Sequence, residues 1–338
     1  MNLRNLRGRL LLSLLLGLLV FAGLSFYADF RDLIDSLTEF KWWLLPIILA
    51  LTAINYVLRF FKWEYYLRLI GVRGLSTRDS ALVFFSGLGM VITPGKLGEW
   101  LKSYLLREVH GTPIARSAPI LLAERLTDAI ALLIIAGTGV FVFGNLWQAF
   151  VAVSLGSVLI VAVARHRPTA LWLLHRGERL PFVSRFMSQI EEFYESTYVL
   201  MAPRALISMT ALSAFSWFFE VLAFYLTLAG LGLTADGELM LHAAFILPIA
   251  TLASAVLMTP GGLGTAEAAI VAMSQTLLDM TKSSATLGTL IIRFATLWFG
   301  VIIGLITFAY LSRRLSLDDE PEPVAPRPPA ESLPEAQP

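Results

Sequence analysis

The 338-residue chain contains no cysteine and little charge, and both absences restrict what it can do. Without cysteine it can form no disulfide, no thiol nucleophile and no thiolate metal site. Its four histidines show no metal-ligand spacing and no nucleotide-binding loop is present, so no metal site and no cofactor are predicted. Charged residues make up 15% of the chain, against about 25% in soluble domains, and 57% of the residues are apolar. This composition predicts an all-α polytopic membrane protein and argues against a soluble or nucleic-acid-binding one.

Long apolar runs mark six full membrane spans. About 20 apolar residues at 1.5 Å per residue cross a bilayer core of roughly 30 Å. The first run could instead be a signal peptide, because three arginines precede it. However, Phe26-Tyr27-Ala28 is a poor cleavage site, and the repeat described below needs this run as a span. The predicted spans cover residues 10–27, 42–61, 117–143, 146–164, 205–233 and 287–311.

Two polar stretches between the spans are predicted to form amphipathic helices. Residues 29–41 carry four acids, with apolar side chains at helical spacing. Residues 186–198 repeat aromatic and apolar side chains at the same spacing. A helix with one apolar face and one polar face lies in the membrane interface.

A short phrase occurs twice and interrupts the apolar pattern each time. The segment Thr93-Pro94-Gly95-Lys96-Leu97-Gly98-Glu99 returns as Thr259-Pro260-Gly261-Gly262-Leu263-Gly264, with Glu267 just beyond. Proline and glycine break a helix, and in hydrocarbon such a break survives only where protein or water covers it. We therefore predict two re-entrant helical hairpins, at 81–107 and 239–278. The first arm of the second hairpin is long enough to span, although Pro248 is expected to break it midway.

The order of elements repeats along the chain. Each half is predicted to hold three transmembrane helices and one re-entrant hairpin, and three crossings in the first half make the second half inverted. Inverted repeats with broken helices at the midplane are typical of secondary transporters; the alternative is a relic of duplication in a static protein. The predicted first unit is 1–164; it holds the first repeat and, at 146–164, the first helix of the second repeat. It is followed by a cytoplasmic linker with an amphipathic helix at 165–204, the rest of the second repeat at 205–314, and a disordered Pro-rich tail at 315–338.

Lysine and arginine set the predicted orientation. Lys62 is placed at the start of a basic loop that ends at Arg78. With Arg59, Lys96, Arg125 and Arg293 counted as intramembrane, all but three of the other basic residues fall on one side. The positive-inside rule makes that side cytoplasmic. The protein is predicted to lie in the cell inner membrane with both termini in the cytoplasm.

Several ionisable residues fall inside the predicted membrane segments. A charge at the bilayer centre costs at least about 2.5–3.5 kcal/mol, so it faces a cavity or a partner. Arg125 and Arg293, one per half at matching depth, are the best candidates to bind a phosphate or carboxylate. The glycines of both breaks are expected to add bare backbone N–H groups to this anion site. The candidate head-group and transport residues are Arg59, Lys96, Glu99, Glu124, Arg125, Asp128, Glu220, Glu267 and Arg293; the break residues are Pro94, Gly95, Gly98, Pro260, Gly261, Gly262 and Gly264.

The roles of the acids stay open from sequence. Glu124 and Asp128 share one helical side with Arg125 and could form a self-neutralising cluster. Glu99 and Glu267 could pair with the arginines, bind a cationic head group or carry a coupling proton. Lys102 could attract phosphate or extend toward the cytoplasm.

Three of these motifs together resemble the lysylphosphatidylglycerol synthase transmembrane-region family. They are Pro94-Gly95-Lys96-Leu97-Gly98-Glu99, Glu124-Arg125-Leu126-Thr127-Asp128, and Pro260-Gly261-Gly262-Leu263-Gly264 with Glu267. The family is the flippase-like domain of the multiple peptide resistance factor, and the domain also occurs in a stand-alone form. The resemblance covers roughly residues 10–312. It implies movement of aminoacylated phospholipid between leaflets and carries over Lys96, Glu99, Arg125, Asp128, Glu267 and Arg293. Because this chain ends in a Pro-rich tail where two-part members have a soluble transferase, the resemblance does not fix the cargo.

The leading functional hypothesis is a lipid translocase that moves a phospholipid or a polyprenyl-phosphate-linked lipid by alternating access. The alternatives are an intramembrane lipid-linked transferase, with Glu99 or Asp128 as base, and a non-transporting partner subunit of an envelope enzyme. The expected partners are membrane lipids and, for the last alternative, that enzyme. The oligomeric state is open.

Overall fold

A computed structural model describes Leu15 and residues 17–20, 22–24, 26–27, 30–92, 100–143, 147–168, 186–257 and 259–318. All regular structure in these ranges is helical, as the composition predicts. The helices are α1 (Phe30–Glu39), α2 (Leu45–Leu69), α3 (Thr77–Leu88), α4 (Leu101–His110), α5 (Ile114–Phe143), α6 (Trp147–Arg165), α7 (Met187–Leu200), α8 (Pro203–Gly230), α9 (Gly237–Val256), α10 (Thr265–Leu277), α11 (Lys282–Arg293) and α12 (Phe299–Asp318). One turn of π-helix, Phe294–Trp298, joins α11 to α12.

Four of the described helical segments are long and apolar enough to cross a membrane: Trp42–Leu69, Pro203–Gly230, Gly237–Val256 and Lys282–Leu315. Three of them contain or largely overlap the spans predicted at 42–61, 205–233 and 287–311. The spans predicted at 117–143 and 146–164 coincide with helices α5 and α6. The described residues between 15 and 27 are also helical, within the first predicted span. The protein is therefore a membrane protein, all-helical in the part of the chain that the structure describes.

Helix α9 differs from the prediction at Pro248. The helix runs without interruption from Gly237 to Val256 with Pro248 inside it, so the expected break is absent. Proline removes one backbone donor, but neighbouring helices and hydroxyl side chains can compensate in a membrane helix. The Thr251 hydroxyl donates to the Leu247 carbonyl at 2.8 Å, which lies three residues beyond Ala244, whose carbonyl loses its usual donor at Pro248. By length α9 can cross the membrane, and the re-entrant form of 239–278 stays a prediction.

The largest helix contacts join the two predicted halves. Helix α2 packs along α8, α5 along α9, and α3 along α12. The two predicted amphipathic helices are present as α1 and α7, which pack against α11 and α5, respectively. The bundle core lies between these pairs and is built mainly from aromatic and aliphatic side chains.

The start of α3 is fixed to the end of α12 by a polar network. The Ser76 hydroxyl accepts from the Asp79 backbone N–H at 3.0 Å and caps α3. Arg314 bonds the Asp79 carboxylate at 2.5 Å. The Ser76 hydroxyl, with Arg314 beside it, holds the pKa of Asp79 below its ordinary value. Helix α12 extends to Asp318, slightly into the predicted tail, and the rest of 315–338 lies outside the described residues.

The backbones of α3 and α12 meet at a pair of glycines. A Cβ atom on Gly304 would lie 1.9 Å from the Gly89 nitrogen and 2.5 Å from its Cα. Only glycine allows this approach, as in other close crossings of membrane helices. Both neighbours are backbone atoms, so neither can rotate away.

We expect Gly304→Ala to lower the free energy of unfolding by about 1–3 kcal/mol, the usual cost of overpacking. The matched control is Gly156→Ala in α6, where nothing lies within 4 Å of the new Cβ. Alanine favours a helix over glycine, so this control should keep or slightly raise the unfolding midpoint. Thermal unfolding of the purified proteins in detergent measures both. Equal midpoints for the two variants would contradict the crossing.

Candidate functional site

A cavity of about 150 Å³ lies inside the bundle. Its wall comes from helices α2, α3, α5, α8, α9, α10 and α11, from the turn at the second break, and from the π-helical turn. Of the described wall residues, four are ionisable, three arginines and one acid: Arg59, Arg125, Arg293 and Glu220. The space is large enough for several waters or a phosphate-sized group. The arrangement favours an anion.

The second break lies on this cavity wall. Pro260–Gly262 form one turn of 3-10 helix, and Gly261, Gly262 and Gly264 have φ values of 58°, 74° and 82°. Such values are readily adopted only by glycine. A Cβ on Gly261 would lie 3.2 Å from the Ile92 side chain. Since Ile92 immediately precedes Thr93, the second break lies against the described edge of the first.

The second break contributes a carbonyl group to Arg293, and at Gly262 it does not offer the bare N–H donor predicted from sequence. The Gly262 N–H already donates to the Thr259 carbonyl at 3.1 Å, so it is not available to an anion. The Gly261 carbonyl accepts from Arg293 Nη2 at 2.6 Å. The prediction of a backbone anion site is therefore wrong for Gly262, because the tight turn uses its donor internally.

Arg293 is ion-paired with Glu267. Arg293 Nε donates to Glu267 Oε1 at 2.6 Å, and Glu267 is fully buried. Sequence reasoning left pairing, head-group binding and proton transfer open for Glu267, and pairing is what the structure has. Arg293 thus joins the second break to α10 while its guanidinium stays on the cavity wall. The π-helical turn that follows is fixed by the Tyr56 hydroxyl, which donates to the Thr296 carbonyl at 2.9 Å.

Asp128 lies at the centre of a buried ionic cluster behind the cavity. Lys62 Nζ donates to Asp128 Oδ1 at 2.7 Å and to the Ser213 hydroxyl at 2.6 Å. Ser213 in turn donates to Asp128 at 2.9 Å. Arg59 approaches the other carboxylate oxygen of Asp128 at 3.7 Å. The cluster joins α2, α5 and α8, and through Arg59 it reaches the cavity wall.

Lys62 is not in a cytoplasmic loop as predicted. It lies within α2 and is 2% exposed. Its charge is tolerated because Asp128 neutralises it, and α2 therefore continues to Leu69. The available signal was that Lys62 follows Arg59 by three residues, which places both on one helical face.

Glu124 pairs with Lys102. The two charged groups are 2.6 Å apart, and Lys102 Nζ lies 4.8 Å from the centre of the Trp63 ring and 5.3 Å from that of Phe84. Lys102 is 9% exposed, so it does not extend to the cytoplasm, and its cation–π contacts add to the pairing. Glu124 and Asp128 therefore find their lysine partners on α4 and α2, rather than within a self-neutralising cluster on α5.

The structure brings part of the predicted site together. Arg59, Arg125, Glu220, Arg293 and two break glycines share the cavity wall. Asp128 and Glu267 are not among the wall residues that the structure describes but form ion pairs with two wall arginines, Arg59 and Arg293, respectively. Glu124 is not among the described wall residues, nor are Pro260 and Gly264. The predicted residues Lys96, Glu99, Pro94, Gly95 and Gly98 lie outside the described residues.

Trp217 is a wall residue that sequence reasoning missed. It is buried, and its indole N–H has no hydrogen-bond partner among the described residues. A tryptophan in a membrane span normally indicates packing, so the sequence offered no signal for it. Trp217 also lines the cavity.

Comparisons with known proteins give relatives of this chain. A relative from Haloferax volcanii, named glycosyltransferase AglD, is 24% identical over a match that covers 81% of this chain and 50% of the relative. A protein from Methanothermobacter thermautotrophicus, named UPF0104 membrane protein, is 32% identical over 39% of this chain and 38% of its own length. The chain thus matches half or less of the length of these relatives.

A family model described as the lysylphosphatidylglycerol synthase TM region matches residues 14–304, which include the described cavity wall. The match confirms the family that the three motifs predict. The chain belongs to the lysylphosphatidylglycerol synthase TM region family.

Proposed function

We propose that the protein is a lipid translocase that moves a phosphate-bearing lipid between membrane leaflets by alternating access. The observation that carries the proposal is the internal cavity with Arg59, Arg125 and Arg293 on its described wall. Guanidinium forms strong, directional hydrogen bonds to phosphate and stays charged at any relevant pH. A phosphate head group would find there the donors that it loses on leaving water.

The helix contacts support an inverted repeat. In the predicted repeat, α5 corresponds to α11 and α12, while α3 corresponds to α9. The contact of α5 with α9 is then equivalent to the contact of α12 with α3, with the two halves exchanged. Helix α1 on α11 and α7 on α5 are a second such pair, and α2 on α8 pairs two equivalent helices. Reciprocal contacts of this kind are what a two-fold relation produces.

The position of the cavity also supports alternating access. Residues next to the first break, Leu88 and Val91, and residues of the second break line the same space. In transporters built from inverted repeats, the substrate site lies where broken helices of the two halves meet. Movement of one half against the other would open this site to each leaflet in turn. The proposed location is the cell inner membrane, with both termini in the cytoplasm.

The cargo class follows from the donors and from one relative. Arginines select the phosphate and not the rest of the head group, so a phospholipid and a polyprenyl-phosphate-linked lipid both fit. The relative named glycosyltransferase AglD favours including a lipid-phosphate-linked sugar among the cargoes to be tested.

The experiment is lipid translocation in vesicles that contain the purified protein and a trace of fluorescent phosphatidylglycerol. A membrane-impermeant quencher reports how fast the label changes leaflet. A hydrogen bond to a charged group is worth about 1.5–3 kcal/mol, so Arg59→Gln and Arg125→Gln should each slow translocation roughly 10- to 100-fold. Arg116→Gln is the matched control, since Arg116 pairs with Glu192 on the surface. Unchanged rates in both cavity variants, with the wild-type unfolding midpoint retained, would reject the mechanism.

A transferase is the second candidate, favoured by the name of the Haloferax relative. In that case a buried carboxylate would act as base and the arginines would hold the lipid phosphate. Incubation of the pure protein with membrane lipid and a sugar donor distinguishes the two functions. A lipid product of changed mass supports the transferase, whereas relocated lipid of unchanged mass supports the translocase.

A further inference from the structure

Glu220 differs from the other buried acids of the bundle. Glu124, Asp128 and Glu267 each have a lysine or arginine within 2.7 Å. Glu220 is 5% exposed and lies well inside α8, yet it has no ion pair and no hydrogen bond with any described residue. An ionised carboxylate in such a place is costly unless it is paired. The neutral, protonated form needs no partner.

Every helix packed on α8 near Glu220 presents its groups to the same region. Helix α2 contributes Tyr56 and Arg59, α5 contributes Arg125 and Asp128, and α11 contributes Arg293. Helix α9 contributes to the cavity wall only groups that do not titrate, Leu247, Thr251, Ser254 and Ala255. With the cavity empty, the arginines favour the ionised carboxylate. Asp128 opposes them, but Lys62 already neutralises its charge.

We propose that Glu220 is a proton-binding site whose occupancy is coupled to that of the cavity, so that a lipid phosphate and a proton bind and cross together. The inference rests on the proposed lipid translocation. A phosphate in a space of about 150 Å³ lies close to every wall group, including Glu220. Its negative charge cancels the field of the arginines and repels an ionised carboxylate, so binding favours protonation. By linkage, protonation favours binding to the same extent.

Charge balance gives a second reason for coupling. A phosphate monoanion adds one negative charge to the cavity, and protonation of Glu220 removes one. The total charge is therefore the same in the loaded and the empty protein. A protein that reorients in a medium of low dielectric constant is favoured when its buried charge does not change. Glu267, which the sequence also allowed as a proton carrier, is held by Arg293 and is not available for this role.

The first test uses a proton gradient across vesicles that contain the full chain and fluorescent phosphatidylglycerol. A proton that moves with the lipid carries it toward the alkaline side. With one proton per lipid, a gradient of one pH unit can sustain up to about a tenfold asymmetry of the label between leaflets, because one unit of pH corresponds to a factor of ten. Reversal of the gradient should reverse the asymmetry. Accumulation on the acidic side, or a distribution that ignores the gradient while lipid still moves, would overturn the proposal.

Variants isolate the residue, and each is compared with itself with and without the gradient. Glu220→Gln should lose the response, so that its label distributes evenly whatever its rate. Glu220→Asp should retain a response, because it keeps an ionisable carboxyl. Glu192→Gln, which removes a partly exposed surface acid, should respond like the wild type. A response in Glu220→Gln equal to that of the wild type would overturn the assignment.

A second test does not require transport. Short-chain phosphatidylglycerol is added to the protein in weakly buffered detergent with a pH indicator. The wild type should take up about one proton per bound lipid, and Glu220→Gln should take up none at matched occupancy. If vesicles of the wild type move no lipid, the proposed function fails, and this test still decides the proton site. Glu220→Gln could instead lose binding of phosphatidylethanolamine only, while the wild type takes up no proton. That result would make Glu220 a site for the lipid amine and reject the proposal.

Discussion

Replacing Lys62 by methionine should cost about 3–5 kcal/mol of stability, the range measured when one member of a buried ion pair is removed. Lys62 is 2% exposed and Asp128 is 4% exposed. Methionine keeps most of the volume of the side chain but leaves Asp128 without its near cation. Arg59 remains at 3.7 Å and Ser213 still donates at 2.9 Å, so the loss should fall toward the lower end of this range.

The double variant Lys62→Met with Asp128→Leu should recover most of the loss. An apolar pair of similar volume removes the unpaired carboxylate, and such replacements are often neutral or stabilising. Arg59 loses only a 3.7 Å contact with Asp128, and its side chain is 24% exposed, so its charge stays partly solvated. Arg116→Met is the control, because its ion pair with Glu192 is partly exposed to solvent and contributes at most about 1 kcal/mol. Denaturant and thermal unfolding in detergent give the three values. An unfolding free energy of Lys62→Met equal to that of Arg116→Met would contradict the buried ionic cluster.

Lys62 also illustrates what the sequence could not provide. Span ends are predicted from hydropathy, which treats a lysine after an apolar run as the exit from the membrane. The partner that keeps this lysine inside lies 66 residues away, on another helix. Lys102 was left undecided for the same reason, since Glu124 and the rings of Trp63 and Phe84 come from three other helices.

The helices and the wall arginines were more accessible to prediction. Apolar runs of spanning length give helix positions because, in lipid, backbone groups must pair within the helix. Charges inside such runs are rare and costly, so Arg59, Arg125, Glu220 and Arg293 stood out without any structure. Pro248 was misjudged because helix breaking was taken from water, where no neighbouring helix compensates for the lost donor. The partners of the acids depend on helix packing, which no local pattern specifies.

Arg293→Met should be as damaging as the loss of Lys62, with a cost of about 3–5 kcal/mol. Glu267 is 0% exposed. Among the described residues, Arg293 is the hydrogen-bond partner of its Oε1, while Oε2 has none. The variant also removes the donor to the Gly261 carbonyl, so the turn at the second break loses its only described side-chain anchor to α11. The stability of Arg293→Lys should fall between those of the wild type and Arg293→Met. An ammonium keeps the charge but cannot reproduce both hydrogen bonds of the planar guanidinium.

A double-mutant cycle with Glu267→Leu separates the ion pair from the turn. If the pair carries the effect, Arg293→Met with Glu267→Leu should be more stable than Arg293→Met alone, with a coupling of up to about 3 kcal/mol. Arg314→Met is the matched control, since its ion pair with Asp79 has a comparable length of 2.5 Å but an arginine side chain that is 44% exposed. That control should lose less than about 1 kcal/mol. If Arg293→Met and Arg314→Met lose the same small amount of stability, burial does not strengthen the ion pair of Arg293. The ion pair would then not be what stabilises the second break. If the cycle gives the expected coupling, the arginine on the cavity wall also holds the break in place, so stability and the proposed phosphate binding depend on one side chain.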